Sequence, residues 1–156
     1  MSANDPPSAT NEAVIDTNVL LDWLVFADPG VSRLFSALQE GALRWVATDA
    51  MLNELRHVLS RPPLLARRPE HLEDSIAAWC GLVAAPADAP PRLLCSDPDD
   101  QKFIDLALQR GSRWLISRDR ALLKLGRRAL GYGVRVCQPS AWGPPDTPAA
   151  AFKTSP

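Results

Sequence analysis

Residues 13–21 read Ala13-Val14-Ile15-Asp16-Thr17-Asn18-Val19-Leu20-Leu21. A short apolar, β-branched run delivers a carboxylate, a hydroxyl and an amide in succession, then hands over to a second apolar run. This pattern predicts a buried parallel strand over Ala13–Asp16 followed at once by a helix from Thr17 to about Phe26. Ligands of open α/β sheets gather outside the carboxyl ends of the strands. Asp16 is therefore placed to meet a positively charged group.

Strand-like and helix-like segments continue to alternate along the chain. A helix over Val31–Glu40 is closed by Gly41, and Leu43–Ala47 reads as a strand. Thr48 caps a helix reaching about Leu59, with Asp49 in its first turn, and Arg61-Pro62-Pro63 closes it. Glu70 to about Ala84 reads as one helix, Pro86–Pro91 as a linker and Arg92–Cys95 as a short extended piece. Asp97 caps a helix with Pro98 at its first position, running to Gln109 ahead of Gly111. Trp114–Ser117 is a strand, Ala121–Leu125 a short helix and Val134–Cys137 a last strand. This alternation predicts an α/β fold, a three-layer α/β/α sandwich around a central parallel sheet. Its span is 13–142, between flexible tails at 1–12 and 143–156, the second rich in proline.

The 156 residues suit one domain, and 46% hydrophobic with 22% charged residues is ordinary for a soluble protein. No run approaches the roughly 18 apolar residues of a membrane span. Met1–Glu12 lacks the basic and apolar regions of a signal peptide, so the expectation is a cytoplasmic protein without a membrane partner. Cys80, Cys95 and Cys137 show no metal-ligand spacing and read as reduced, buried or half-buried thiols. Net charge is −1, but basic residues cluster. Arg110, Arg113, Arg118, Arg120, Lys124, Arg127, Arg128 and Arg135 face a single acid, Asp119, over 110–135, and a second group holds Arg56, His57, Arg61, Arg67 and Arg68. Each is a positive face or an ordinary solvated helix surface.

Four acids share a predicted location. Asp16 and Asp119 lie at or just past the carboxyl ends of strands, which share one edge in a parallel sheet. Asp100 stands in the first turn of the Asp97 helix, and Glu54 borders the apolar stripe of Met51, Leu55 and Val58. Singly, each has a structural explanation: a strand-end turn for Asp16, a helix start for Asp97, Asp99 and Asp100, a surface position for Glu54, the start of a short helix for Asp119. Jointly, gathered carboxylates call for a cation. Hard oxygen donors suit magnesium or manganese, which activate water and neutralise charge on a phosphodiester. Thr17, Asn18 and Ser117 are placed to hydrogen-bond those carboxylates.

The segments 14–21, Leu52-Asn53-Glu54-Leu55, Asp97-Pro98-Asp99-Asp100 with Lys102-Phe103-Ile104-Asp105-Leu106-Ala107, and Trp114-Leu115-Ile116-Ser117-Arg118-Asp119, taken in order, resemble the PIN domain, closest to its bacterial toxin branch. The resemblance covers about Ala13 to Trp142. It implies a divalent-metal nuclease acting mostly on RNA, with Asp16, Glu54, Asp100 and Asp119 as catalytic metal ligands and Asn18 and Ser117 in support. Relatives often carry a further acid where Gln101 stands, which leaves Asp99, Asp100 or both facing the metal, with Asp97 in the outer shell. The expected activity is a Mg2+- or Mn2+-dependent endoribonuclease, the toxin of a toxin–antitoxin pair, with RNA as substrate and an antitoxin protein as partner. Arg118 and Arg120 would contact RNA phosphates, and His57 would face solvent or RNA. Apolar surface on the 31–40 or 70–84 helix would serve a homodimer or a partner, with core packing as the competing explanation. Two other readings stand beside it. One is a non-catalytic PIN-like module binding RNA or protein. The other is a haloacid-dehalogenase-type phosphotransferase, disfavoured because Asn18 occupies the place of its second aspartate.

Overall fold

The computed structural model describes residues 11–87 and 89–143. Five parallel strands, β1 (Glu12–Ile15), β2 (Arg44–Ala47), β3 (Cys80–Leu82), β4 (Trp114–Ile116) and β5 (Arg135–Cys137), form one sheet in the order β3-β2-β1-β4-β5. Chain direction across the sheet reverses between β3 and β4. Right-handed crossovers then place the helices of the two halves on opposite faces, the α/β/α sandwich expected from the alternation. The reversal leaves β1 and β4 as neighbours, with Val14 opposite Leu115 and Ile15 opposite Ile116. Central strands in such a sheet are covered on both sides, and β1 is buried throughout.

The crossovers follow local sequence signals. α1 (Thr17–Leu24) begins where Asp16 caps it and buries Val19, Leu20 and Leu21. α2 (Ser32–Gln39) buries Leu34, Phe35, Ala37 and Leu38 and ends before Gly41, whose φ of +79° stops the helix. α3 (Asp49–Leu59) is capped by the Thr48 hydroxyl, which accepts from the Met51 N–H, and buries Met51, Leu52, Leu55 and Leu59. α5 (Gln101–Arg110) follows a 3₁₀ turn over Pro98–Asp100, ends at left-handed Gly111 and packs on β1 and β4. The core includes Trp45 and Trp114, and Trp23 stacks on Phe35 at 4.0 Å. The apolar residues of α2 are spent on this core, leaving a polar outer face.

Three expectations are corrected, and one helix is added. The helix expected over 70–84 is α4 (Leu72–Trp79) followed directly by strand β3. Cys80-Gly81-Leu82 is an apolar run too short for its periodicity to separate strand from helix. Pairing with β2 decides it, and Gly81 lies where an added Cβ would meet the Arg44 guanidinium at 2.7 Å. Arg92–Cys95 is not a strand but a loop pinned by a side chain: Gln101 accepts from Cys95 N–H at 2.7 Å and donates to the Leu93 carbonyl at 2.8 Å. The short helix expected over Ala121–Leu125 is α6 (Arg120–Leu123), and an unanticipated helix, α7 (Gly126–Leu130), follows it. Glu12, expected in the tail, opens β1: its buried carboxylate accepts Arg110 Nε and Nη2 at 2.9 and 2.7 Å and Ser112 Oγ at 2.6 Å. The remaining tail expectations fall on residues 1–10 and 144–156, outside those described.

Candidate metal centre

At the β1–β4 switch, Asp16 sits one residue past its strand with its N–H still bonded to the Ile116 carbonyl at 2.9 Å. Its side chain is buried, accepting the Ser117 hydroxyl at 2.7 Å on one oxygen and the Asn18 N–H at 3.2 Å on the other. Burial pushes the Asp16 carboxyl up; Ser117 and Asn18 oppose this, while the negative charges of Asp119 and Glu54 add to it, and the net shift is upward. Ser117, fully buried at the end of β4, accepts the Asp119 N–H at 2.9 Å on the same hydroxyl. Asp119 in turn caps α6 by accepting the Ala121 N–H at 2.9 Å.

The third arm is the Pro98–Asp100 turn. Asp97 caps it through a 3.0 Å bond from Asp99 N–H. Asp99 faces solvent and Asp100 is buried. Gln101 makes contacts that an acid in its place could not. Its amide donates to Leu93 O and to Asp105 at 2.8 Å each, which a carboxylate cannot do.

Asp97, Asp100 and Asp119 each offer a carboxylate oxygen within 4.8 Å of the others. Asp100 is pushed up to about 7, first by burial, then by its hydrogen bond to Asp119 and by the charges of Asp16, Asp119 and Asp97. Asp119 is held below the usual range by that bond and by the Ala121 N–H. The two close carboxylates thus shift in opposite directions, the response of neighbouring like charges. Oδ2 of Asp100 is buried without a hydrogen-bond partner among the described residues. An orphaned buried oxygen amid acidic oxygen donors fits a hard divalent cation, magnesium or manganese in kind.

Glu54 stands apart from this trio. Its Oε2 accepts the Thr17 hydroxyl at 2.5 Å and its Oε1 pairs with Lys102 Nζ at 2.8 Å. It lies near enough to raise Asp16, yet its charge is matched at the rim. Asp97, expected in the outer shell, offers an oxygen within 4.8 Å of those of Asp100 and Asp119, and spacing alone gives Lys102 no role. A lysine two residues after a predicted ligand, in the first turn of a helix, is the signal that marks it. The Asn18 side chain is exposed, and its N–H makes the contact to Asp16.

The basic cluster is divided by the fold. Arg118 pairs with Asp22 at 3.2 Å and Asp28 at 3.1 Å, Arg110 with Glu12, and Arg56 with Glu73. Arg120 is exposed and, with Arg118, Leu123, Lys124 and Gln138, lines a shallow depression. His57 is exposed and bonded to Arg61.

Buried Asp16 and Asp100 lie with Asp119 at the topological switch of a five-stranded parallel sheet, where α/β folds place their ligands. The family model for the PIN domain matches residues 12–121, and the chain belongs to that family. PIN domains are generally nucleases that use divalent metals. Comparison with curated proteins finds no match.

Proposed function

We propose that the protein is a divalent-metal-dependent endoribonuclease and the toxin of a toxin–antitoxin pair. The observation that carries the nuclease reading is the convergence of Asp97, Asp100 and Asp119 within 4.8 Å, beside a buried Asp16 tied to Ser117. When bound, Mg2+ or Mn2+ supplies activation of water and neutralisation of charge on the scissile phosphodiester. Asp16, Asp100 and Asp119 hold it, with Asp97 beside them. Ser117 fixes the orientation of Asp16, and Thr17 that of Glu54. Arg120 offers a sequence-independent contact to backbone phosphate.

Support for RNA over DNA and for the toxin role comes from the order of the acidic motifs, which resembles the bacterial toxin branch. An antitoxin protein is the partner this reading calls for, and the cytoplasm the place of action. Among the described residues no helix is long and apolar enough to cross a membrane. The test is cleavage of matched single-stranded RNA and DNA with Mn2+ or EDTA. RNA cut only with the metal supports the proposal, and intact RNA under every metal condition refutes it. A small co-transcribed gene beside this one, whose product blocks the cleavage, would support the toxin role. Undiminished cleavage in its presence would count against that role.

A further inference from the structure

Lys102 is the cation built into the rim of the acidic centre. Its ammonium is held by three contacts: Glu54 Oε1 at 2.8 Å, the Asp99 carbonyl at 2.6 Å and the Phe103 ring, 4.9 Å from its centroid. The side chain is one-third exposed, so it is not forced there by burial. It lies on the first turn of α5, immediately after the turn that delivers Asp100. Opposite it, the second oxygen of Glu54 is taken by Thr17 at 2.5 Å. Both oxygens of Glu54 are therefore engaged by residues of this chain, one from α1 and one from α5. Asp100 keeps an oxygen without a partner.

We infer that Lys102 is a positioning residue that withholds Glu54 from the divalent cation, so that the ion is held by the aspartates and Glu54 stays at the rim. This rests on the metal-centre reading above and adds a consequence that reading does not contain. A carboxylate already neutralised by a fixed ammonium has less to gain from a second cation. Freed of Lys102, Glu54, whose other oxygen already accepts from Thr17 next to Asp16, becomes an additional acidic donor.

The effect has a sign and a route, and a double-mutant cycle reads both. Mn2+ binding to the full chain is measured by calorimetry for wild type, Lys102→Met, Glu54→Gln and the double variant, with circular dichroism to verify folding. Lys102→Met should bind Mn2+ about tenfold more tightly than wild type. Glu54→Gln alone should change affinity by less than about threefold, because Glu54 is not a ligand while Lys102 holds it. In the Glu54→Gln background the gain from removing Lys102 should vanish. An equal gain in both backgrounds would show a general charge effect and overturn the inference, as would weaker binding by Lys102→Met. So would unchanged Mn2+ affinity together with weakened RNA binding, which would make Lys102 a phosphate contact. Absence of Mn2+ binding by every protein would remove the metal centre itself, a failure distinct from binding without coupling.

Discussion

The Ser117 hydroxyl donates to Asp16 at 2.7 Å and accepts from the Asp119 N–H at 2.9 Å, so one buried oxygen joins the carboxyl ends of β1 and β4. The two acids are 103 positions apart in sequence and are brought to one place by this side chain and by the β1–β4 pairing. Ser117→Ala should leave a buried acceptor on Asp16 unsatisfied and cost about 1–3 kcal/mol of stability. Chemical denaturation measures this, and Mn2+ affinity should fall with it.

At the opposite end of the sheet, Glu12 performs a structural task. Burial alone would raise its carboxyl, but Arg110 and Ser112 hold it below the usual range. A lowered folded-state value means that the contribution to stability is complete above the ordinary carboxylate range and is lost as pH falls through the folded value. Glu12→Gln should destabilise the protein by about 2–4 kcal/mol at neutral pH, since it leaves Arg110 without its charge partner. The gap between variant and wild type should narrow on acidification. Melting curves from neutral to acidic pH read both effects.

Gln101 pins the 93–95 loop with donors as well as an acceptor. Gln101→Glu should replace two donated bonds by repulsion against the Leu93 carbonyl and Asp105, costing about 1–3 kcal/mol. If a carboxylate here instead strengthened Mn2+ binding at no cost in stability, Gln101 would be a ligand position and not a structural one.

Arg118 and Arg120 should separate in their effect on RNA. Arg120 has no acidic partner among the described residues, and its replacement by alanine should reduce the slope of log affinity against log salt by about one. Arg118 is committed to Asp22 and Asp28. Its replacement should change that slope less, with about 1 kcal/mol or less lost in stability because the pairs are partly exposed.

Much of this was legible in the chain because the signals were local. The β-branched run ending at Asp16, the Thr48 cap, the Asp97-Pro98 start and Gly111 each announce an element boundary within a few residues. The location of Asp16, Asp100 and Asp119 at one edge follows from parallel strands alone. What was not legible depends on contacts between distant residues. β3 exists because Cys80–Leu82 pairs with β2, and Glu12 joins the sheet because Arg110 meets it. Asp97 enters the acidic group through the path of its turn, and Glu54 is set at the rim by Lys102, 48 positions later. Spacing shows that these residues exist and leaves their partners unread.

The central claim is that these carboxylates form a metal-dependent nuclease centre. Single-turnover cleavage of single-stranded RNA at saturating Mn2+, comparing wild type with folded Asp16→Asn, tests it most directly. The account predicts that the variant is slowed by about a hundredfold or more. Cleavage by Asp16→Asn at the wild-type rate would contradict it.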